Sequence, residues 1–271
     1  MTADQSKPRA VAETAPGDPP AVGGIVHDRS RVYRSASIVI PCFNESATLE
    51  LLVERVKAAP LALKKEIVIV DDGSTDRCPE LIRSMAEASR GTDTPIVAVI
   101  QPRNRGKGAA LRAGFAAASG DIVIVQDADL EYDPNDYAAL VKPIVDGVSK
   151  VVYGSRWFNR HFHAAGPERL RFMIGNWVLT AATNLLYRAH LTDSATCYKV
   201  FDAHLLKSLP LRCERFEFCP EVTARVRRRG ERIWEVPIYY YPRLVSEGKK
   251  IRARDGVEAL WTLLRCRVTR G

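Results

Sequence analysis

Two carboxylates separated by one small residue, Asp127-Ala128-Asp129, follow directly on the run Asp121-Ile122-Val123-Ile124-Val125-Gln126. Side chains alternate along an extended chain, so residues i and i+2 leave on the same side. Two carboxylates so placed repel one another unless a cation sits between them. A hard divalent ion, Mg2+ or Mn2+, held by one or two carboxylates and completed by water and phosphate oxygens, suits that chemistry. The plainer reading of an isolated Asp-x-Asp is a turn that caps a helix. Three more polar segments stand at the ends of apolar runs. Pro41-Cys42-Phe43-Asn44-Glu45 sets a carboxylate beside an aromatic ring, suited to a nucleobase and its ribose, although Asn44 and Glu45 could equally cap a helix. Asp71-Asp72 offers acceptors to a base or a ribose hydroxyl, or forms an Asx turn. Gly106-Lys107-Gly108 permits close approach of backbone to phosphate, without the spacing of a P-loop.

Such groups need a rigid frame. Residues 36–41, 66–70, 96–100 and 121–126 are short, mostly apolar runs, the pattern of strands covered on both faces. Leu49, Leu52, Val53 and Val56 form one i, i+3, i+4, i+7 stripe, and helices are predicted over 79–89 and from the loop 103–108 through 118. This alternation predicts an α/β fold, a Rossmann-like, mostly parallel sheet flanked by helices in a single domain, with ligands at the carboxyl ends of the strands. Further on, 151–154 reads as a strand, 170–187 as mainly helix, 221–229 as a basic helix stopped by Gly230, and 233–240 as a strand. Residues 244–250 read as a flexible loop, and 256–266 as an amphipathic helix with Leu260, Trp261, Leu263 and Leu264 on or near one face. Residues 1–34, rich in Pro, Ala, Gly and charge and without periodicity, are expected to be a disordered leader. The domain is then expected over 35–243, followed by a basic loop and terminal helix over 244–271.

Taken in order, Ile38-Val39-Ile40-Pro41-Cys42-Phe43-Asn44-Glu45, Val70-Asp71-Asp72-Gly73-Ser74-Thr75-Asp76, Asn104-Arg105-Gly106-Lys107-Gly108-Ala109-Ala110, Gln126-Asp127-Ala128-Asp129-Leu130-Glu131 and Gly154-Ser155-Arg156 resemble family 2 glycosyltransferases of the GT-A fold. Among these the likeness is greatest to dolichyl-phosphate mannosyltransferase and the polyprenyl-phosphate glycosyltransferases. The resemblance implies an inverting, metal-dependent hexosyltransferase. It would move a mannose- or glucose-like sugar from a GDP- or UDP-linked donor to a dolichyl or undecaprenyl phosphate at the cytoplasmic membrane face. It implies that Pro41, Phe43 (usually Tyr), Glu45, Val70, Asp72 and Ala128 hold the base and ribose, and that Asp127 and Asp129 bind metal and diphosphate. Glu131, often Gln in the family, would face the same metal. Arg156 would stand near the sugar and acceptor phosphates, and Arg171, ahead of Asn176, would be a second acceptor-phosphate arginine with Arg169 as competitor. Arg243 and Lys249 would close over the diphosphate. Asp193-Ser194-Ala195-Thr196-Cys197-Tyr198-Lys199 is similar to the family segment D-x-x-S/T-G-F/Y-R/K, with Cys197 where glycine is usual, which bears on close backbone approach there.

The acceptor divides two readings. A lipid phosphate is already anionic and needs arginines to position it. A sugar hydroxyl, in polysaccharide, glycolipid or secondary-metabolite synthesis, needs a carboxylate base within hydrogen-bond reach. Asp193, Glu217 and Glu221 are the candidates, Glu217 foremost.

Bulk properties narrow the field. The chain has 271 residues and a formal charge of +8, and from Arg212 onward it carries 15 Lys or Arg against 8 Asp or Glu. That excess suits anionic lipid, a phosphorylated substrate or nucleic acid alike. A nucleic-acid module built on Arg225–Arg229 would lack a recognised motif and interleaved aromatics, and a nucleotidyltransferase would carry a glycine-rich basic loop near the first strand. Six scattered cysteines without a C-x-x-C pair suggest a reduced, cytoplasmic protein. The first thirty residues lack the apolar core of a signal peptide, and 177–187 is too short to span a bilayer. Peripheral contact with an anionic membrane through the basic, amphipathic stretch 249–267 is expected, with a homo-oligomer or a membrane partner subunit left open.

Overall fold

Isoleucine and valine alternate along the apolar runs, and the two faces they define become the two halves of the core. The computed structural model describes residues 31–158, 167–242 and 253–269. Its strands are β1 (Ser35–Cys42), β2 (Lys64–Asp71), β3 (Ile96–Ile100), β4 (Ile122–Val125), β5 (Val151–Ser155), β6 (Lys199–Asp202) and β7 (Trp234–Pro237). The helices are α1 (Leu49–Ala58), α2 (Cys78–Ala88), α3 (Lys107–Ala117), α4 (Tyr137–Val145), α5 (Pro167–Tyr187), α6 (Ala203–Ser208), α7 (Phe218–Arg228) and α8 (Ala253–Val268). Ile38, Ile40, Ile67, Ile69, Ile122 and Ile124 point to the layer of α1, α2 and α4. Val39, Val68, Val70, Val123 and Val125 point to the layer of α3, α6 and α7. A smaller cluster of Tyr187, Ala224, Leu263 and Cys266 joins α5, α7 and α8.

The sheet order is β3-β2-β1-β4-β6-β5-β7. The chain leaves β1 outward through β2 and β3, then returns to β4 on the other side of β1, so β1 and β4 flank a topological switch point where ligands of open α/β sheets bind. β4 pairs with β1 only as far as Val39↔Val125. Pro41, which has no N–H to donate, therefore falls beyond the last β1–β4 pair, and the two strand ends part around a crevice. The other pairings are parallel except those of β6, which runs antiparallel to β4 and β5. The reversal carries the segment before β6, residues 193–198, to the same edge as the carboxyl ends of β1, β2, β4 and β5. The carboxyl end of β7 reaches that edge too.

The α/β architecture matches the sequence expectation, with three differences. β6, α4 and α6 are elements the sequence reading does not assign. Helix α3 begins at Lys107, so Gly106-Lys107-Gly108, read in the sequence as a loop, is the start of a helix. The expected leader is tied down at its last residues: Arg31 pairs with Asp202 at 2.8 Å, Tyr33 Oη donates to Asp202 at 3.0 Å, and Arg34 N donates to Asp121 at 2.8 Å. The rest of it, and the loop 244–250, lie outside the described residues. Among the described residues no helix is long and apolar enough to cross a membrane.

The basic helix α7 spends its charge internally. Arg227 donates to the carbonyls of Tyr187, Arg188 and Glu231, Arg228 to those of Cys266 and Thr269, and Arg229 to that of Ser208. Apart from that of Glu231, which follows α7 itself, these are carbonyls at the ends of α5, α6 and α8, where intrahelical partners run out. Buried Arg225 faces Glu221 at 4.0 Å.

Candidate active site

Ala128 is buried in a turn just past β4, and Asp127 and Asp129 on either side of it are partly buried. Thr48 Oγ1 donates to the Ala128 carbonyl at 2.8 Å, pinning this turn to the loop after β1 across the switch point. Leu130 adopts φ 60°, a left-handed conformation costly for a branched side chain and concentrated at functional turns. Asp127 Oδ1 lies 2.5 Å from Lys107 Nζ, and the same ammonium donates to Cys197 Sγ at 3.0 Å. Burial works against the Lys107 charge, and Asp127 more than restores it. Asp129 Oδ1 accepts from the Glu131 amide at 3.2 Å.

The other strand-end groups are distributed between ligand-facing and structural work. Asp72 is nearly buried; its two oxygens accept from the amides of Arg105 (2.9 Å) and Gly106 (2.7 Å), so it fixes the start of α3. Burial raises its carboxyl, and those two amides oppose the shift. Asp71 Oδ2 accepts from Gly73 and Ser74, the Asx turn, while its buried Oδ1 has no hydrogen-bond partner. Pro41, Phe43 and Glu45 are half-buried along the mouth of the crevice. Gly106 and Gly108 are needed for a different contact from the one expected: an added Cβ would lie 2.6 Å from the Glu214 carbonyl and 2.7 Å from that of Cys213, so the helix start is seated on residues 213–215.

Arg156, just past β5, makes a two-pronged ion pair with Asp193, Nε–Oδ2 2.6 Å and Nη2–Oδ1 2.8 Å. Its guanidinium lies 5.1 Å from the Tyr240 ring centroid. Asn176 of α5 completes the set, donating to Asp193 Oδ1 at 3.1 Å.

These groups gather at one edge of one sheet, and the model of the family described as glycosyl transferase family 2 matches residues 37–209, which span β1 through α6. The chain belongs to glycosyl transferase family 2. Relatives include the undecaprenyl-phosphate 4-deoxy-4-formamido-L-arabinose transferases of Aeromonas hydrophila, 32% identical over 202 residues covering 71% of this chain and 56% of the relative, and of Salmonella paratyphi A, 30% identical over 242 residues covering 87% and 68%. The chain spans about half the length of the curated relatives it matches first, 56% and 55%. Glucosyl-3-phosphoglycerate synthase from Mycobacterium tuberculosis, solved with Mn2+, UDP and phosphoglyceric acid, has the same GT-A fold, with a TM-score of 0.62 and 23% identity over 88% of this chain and 80% of that one.

Within this family 2 transferase, several sequence expectations need correction. Among the described residues no three Asp, Glu, His or Cys side chains converge as metal ligands. Glu131 is turned to Tyr240, whose hydroxyl donates to Oε2 at 2.8 Å, so the expected third carboxylate is not beside Asp127 and Asp129. Val70 is fully buried against the α3 layer and offers no side chain to a nucleotide. Arg156, expected near the sugar and acceptor phosphates, is paired with buried Asp193. Arg243 and Lys249 lie outside the described residues, as does the side chain of Arg171, whose backbone is in α5.

The three candidate bases all hold structural contacts, although the buried Oε2 of Glu217 has no hydrogen-bond partner among the described residues. Asp193 is fully buried; burial acts to raise its carboxyl, and Arg156 outweighs that and holds it below the usual range. Glu217 Oε1 accepts from the amides of Glu214 and Arg215, and Glu221 accepts from those of Arg212 and Cys213. Cys197 is absent from the positive-φ residues, so its replacement of glycine needs no special backbone.

Sequence reasoning missed Tyr132, Tyr240 and Asp136. Tyr132 and Tyr240 form an isolated bridge with their rings 5.1 Å apart, and Tyr132 Oη accepts from the Cys197 amide. No local signal marks a contact of this sequence separation. Asp136, in the 3-10 turn Pro134–Asp136, accepts from Tyr239 N at 2.8 Å and supports this strap. Burial pushes its carboxyl up to about 7, against the Tyr239 amide. The folded state therefore binds the proton more tightly than the unfolded chain, and stability contributed at acid pH is lost as pH rises from about 4 to about 7. Asp136→Asn is expected to be more stable than wild type at pH 8 by about 2 kcal/mol, with the difference shrinking towards zero at pH 4. Urea midpoints at both pH values check it, and an equal difference at the two sinks the assignment.

Proposed function

We propose that this chain transfers a hexose-like sugar from a nucleoside-diphosphate donor to a polyprenyl phosphate, with inversion, at an anionic membrane face. The observation that carries the reading is the pair Asp127 and Asp129, partly buried at the switch point between β1 and β4. Family membership and the acceptor in the relatives' names support it. Pro41, Phe43 and Glu45 line the base and ribose side of the crevice, and buried Asp72 supports it by fixing the start of α3. Mg2+ or Mn2+ fits here: Asp127 and Asp129 are hard oxygen donors, and a positive charge, the Lys107 ammonium, already rests on Asp127. Bound by those two side chains, such an ion supplies charge stabilisation of the departing diphosphate.

The acceptor's phosphate oxygen attacks the anomeric carbon as the bond to the donor's diphosphate breaks, and the electron pair leaves with the nucleoside diphosphate. An acceptor that is already anionic needs no proton removed, which agrees with Asp193 and Glu221 being engaged on both carboxylate oxygens. Arg156, set by Asp193 and Asn176, presents its remaining N–H groups as an anchor for phosphate. Arg171, Arg243 and Lys249 complete this reading as further phosphate-facing cations.

A membrane face adjoins the anchor. Helix α5 has no charged residue from Ile174 to Tyr187, yet Trp177 is 70% and Leu185 83% exposed. Beside it α8 buries Leu263 and Cys266 and exposes Trp261 (64%) and Leu264, so its apolar residues divide between core and surface. Exposed Arg188, Arg265 and Arg267 border this stripe, a match to anionic headgroups.

The test is a screen of GDP- and UDP-sugars against short-chain polyprenyl phosphate in anionic vesicles, with and without chelator, reading sugar transfer and nucleoside diphosphate release. Chelator-sensitive transfer to the lipid is expected, and Trp177→Glu/Leu185→Glu is expected to reduce vesicle binding at least tenfold. Transfer to sugar hydroxyls in preference to lipid phosphate overturns the reading.

A further inference from the structure

We infer that Lys107 is a resident counter-cation that competes with the divalent ion for Asp127 and thereby sets how tightly the site takes metal in the absence of nucleotide. This rests on the reading of Asp127 as a metal carboxylate. Lys107 Nζ lies 2.5 Å from Asp127 Oδ1, with the two side chains only 17% and 13% exposed, so little solvent screens the pair. The root of the lysine cannot shift, because the flanking Gly106 and Gly108 are packed on the backbone of 213–215 with no room for a Cβ. Its ammonium is steadied from the other side by Cys197 Sγ at 3.0 Å, at the position where the resemblance leads one to expect glycine and no side chain. The flexible four-carbon stem lets the head group move while the root stays fixed.

Two cations on one carboxylate oxygen repel, so metal binding must displace the ammonium. Metal alone is then held weakly, and metal arriving with a nucleoside diphosphate, which contributes phosphate oxygens of its own, is held better. Loading of the two becomes coupled.

The experiment titrates Mn2+ alone, without nucleotide, into the full chain and follows free Mn2+ by electron paramagnetic resonance. Lys107→Met is expected to bind Mn2+ at least tenfold more tightly than wild type, and Lys107→Arg to bind like wild type. Arg105→Met, which removes the same charge from a more exposed side chain two residues away, is expected to change affinity less than twofold. Should Lys107→Met fail to fold, as judged by its circular dichroism melt, Lys107→Gln takes its place with the same expectation. Equal or weaker binding by the neutral variant, or no binding by either chain, overturns the inference. Asp127→Asn separates the two levels. If it weakens Mn2+ binding while Lys107→Met does not tighten it, the counter-cation alone is wrong; if it leaves Mn2+ binding unchanged, the metal reading of Asp127 is wrong.

Discussion

Asp129→Asn is expected to lower kcat/KM for sugar transfer about 10³-fold, roughly 4 kcal/mol of transition-state stabilisation, while leaving folding stability within about 0.5 kcal/mol of wild type. The two halves of this expectation have separate causes. The Asp129 carboxylate is partly buried, and among its contacts is Oδ1 accepting from the Glu131 amide, which an asparagine oxygen can also accept. The substitution therefore keeps the turn and removes one negative charge. That charge is what a hard cation requires, and the diphosphate departing during transfer is stabilised only as well as its cation is held. Steady-state release of nucleoside diphosphate at saturating Mn2+, with urea unfolding of both proteins, checks it. A loss below tenfold would take Asp129 out of the catalytic machinery.

The second large effect is on stability. Asp193→Ala is expected to destabilise the fold by about 3–5 kcal/mol. Asp193 is fully buried and accepts from Arg156 Nε, Nη2 and N and from Asn176 Nδ2. Removing it strands a largely buried guanidinium, and the cost is mainly that of the charge left behind. Arg156→Met/Asp193→Leu is accordingly expected to recover most of the loss, since neither charge then remains. Because Arg156 holds the Asp193 carboxyl below its usual range, the pair's contribution is present above the unfolded carboxyl's titration and is lost as pH falls through the folded one. Urea unfolding of the single and double variants at neutral pH measures both, and a single-variant loss under about 1 kcal/mol would show the pair to be dispensable.

Both predictions concern residues that the sequence marks. Asp127 and Asp129 were legible as a candidate pair because the signal is local: two carboxylates two residues apart directly after a buried strand. Asp193 is equally visible as an acid near the site, but as a possible base. Its partner Arg156 is 37 residues away, and only the pairing of β5 with β6 brings them together. Glu131 illustrates the same limit, since its partner Tyr240 is 109 residues distant.

The α/β class, the strands β1 to β4 and the polar loops at their carboxyl ends were legible from the residues alone. Those features follow from hydrophobic period and turn chemistry, which act over a few residues. Tertiary structure alone decided that β6 enters antiparallel, that residues 193–198 and 238–241 therefore reach the same edge as Asp127, and that Lys107 rests on that carboxylate. Strand order and direction are fixed by how whole layers pack, a balance of burial over long sequence separations that no local pattern encodes.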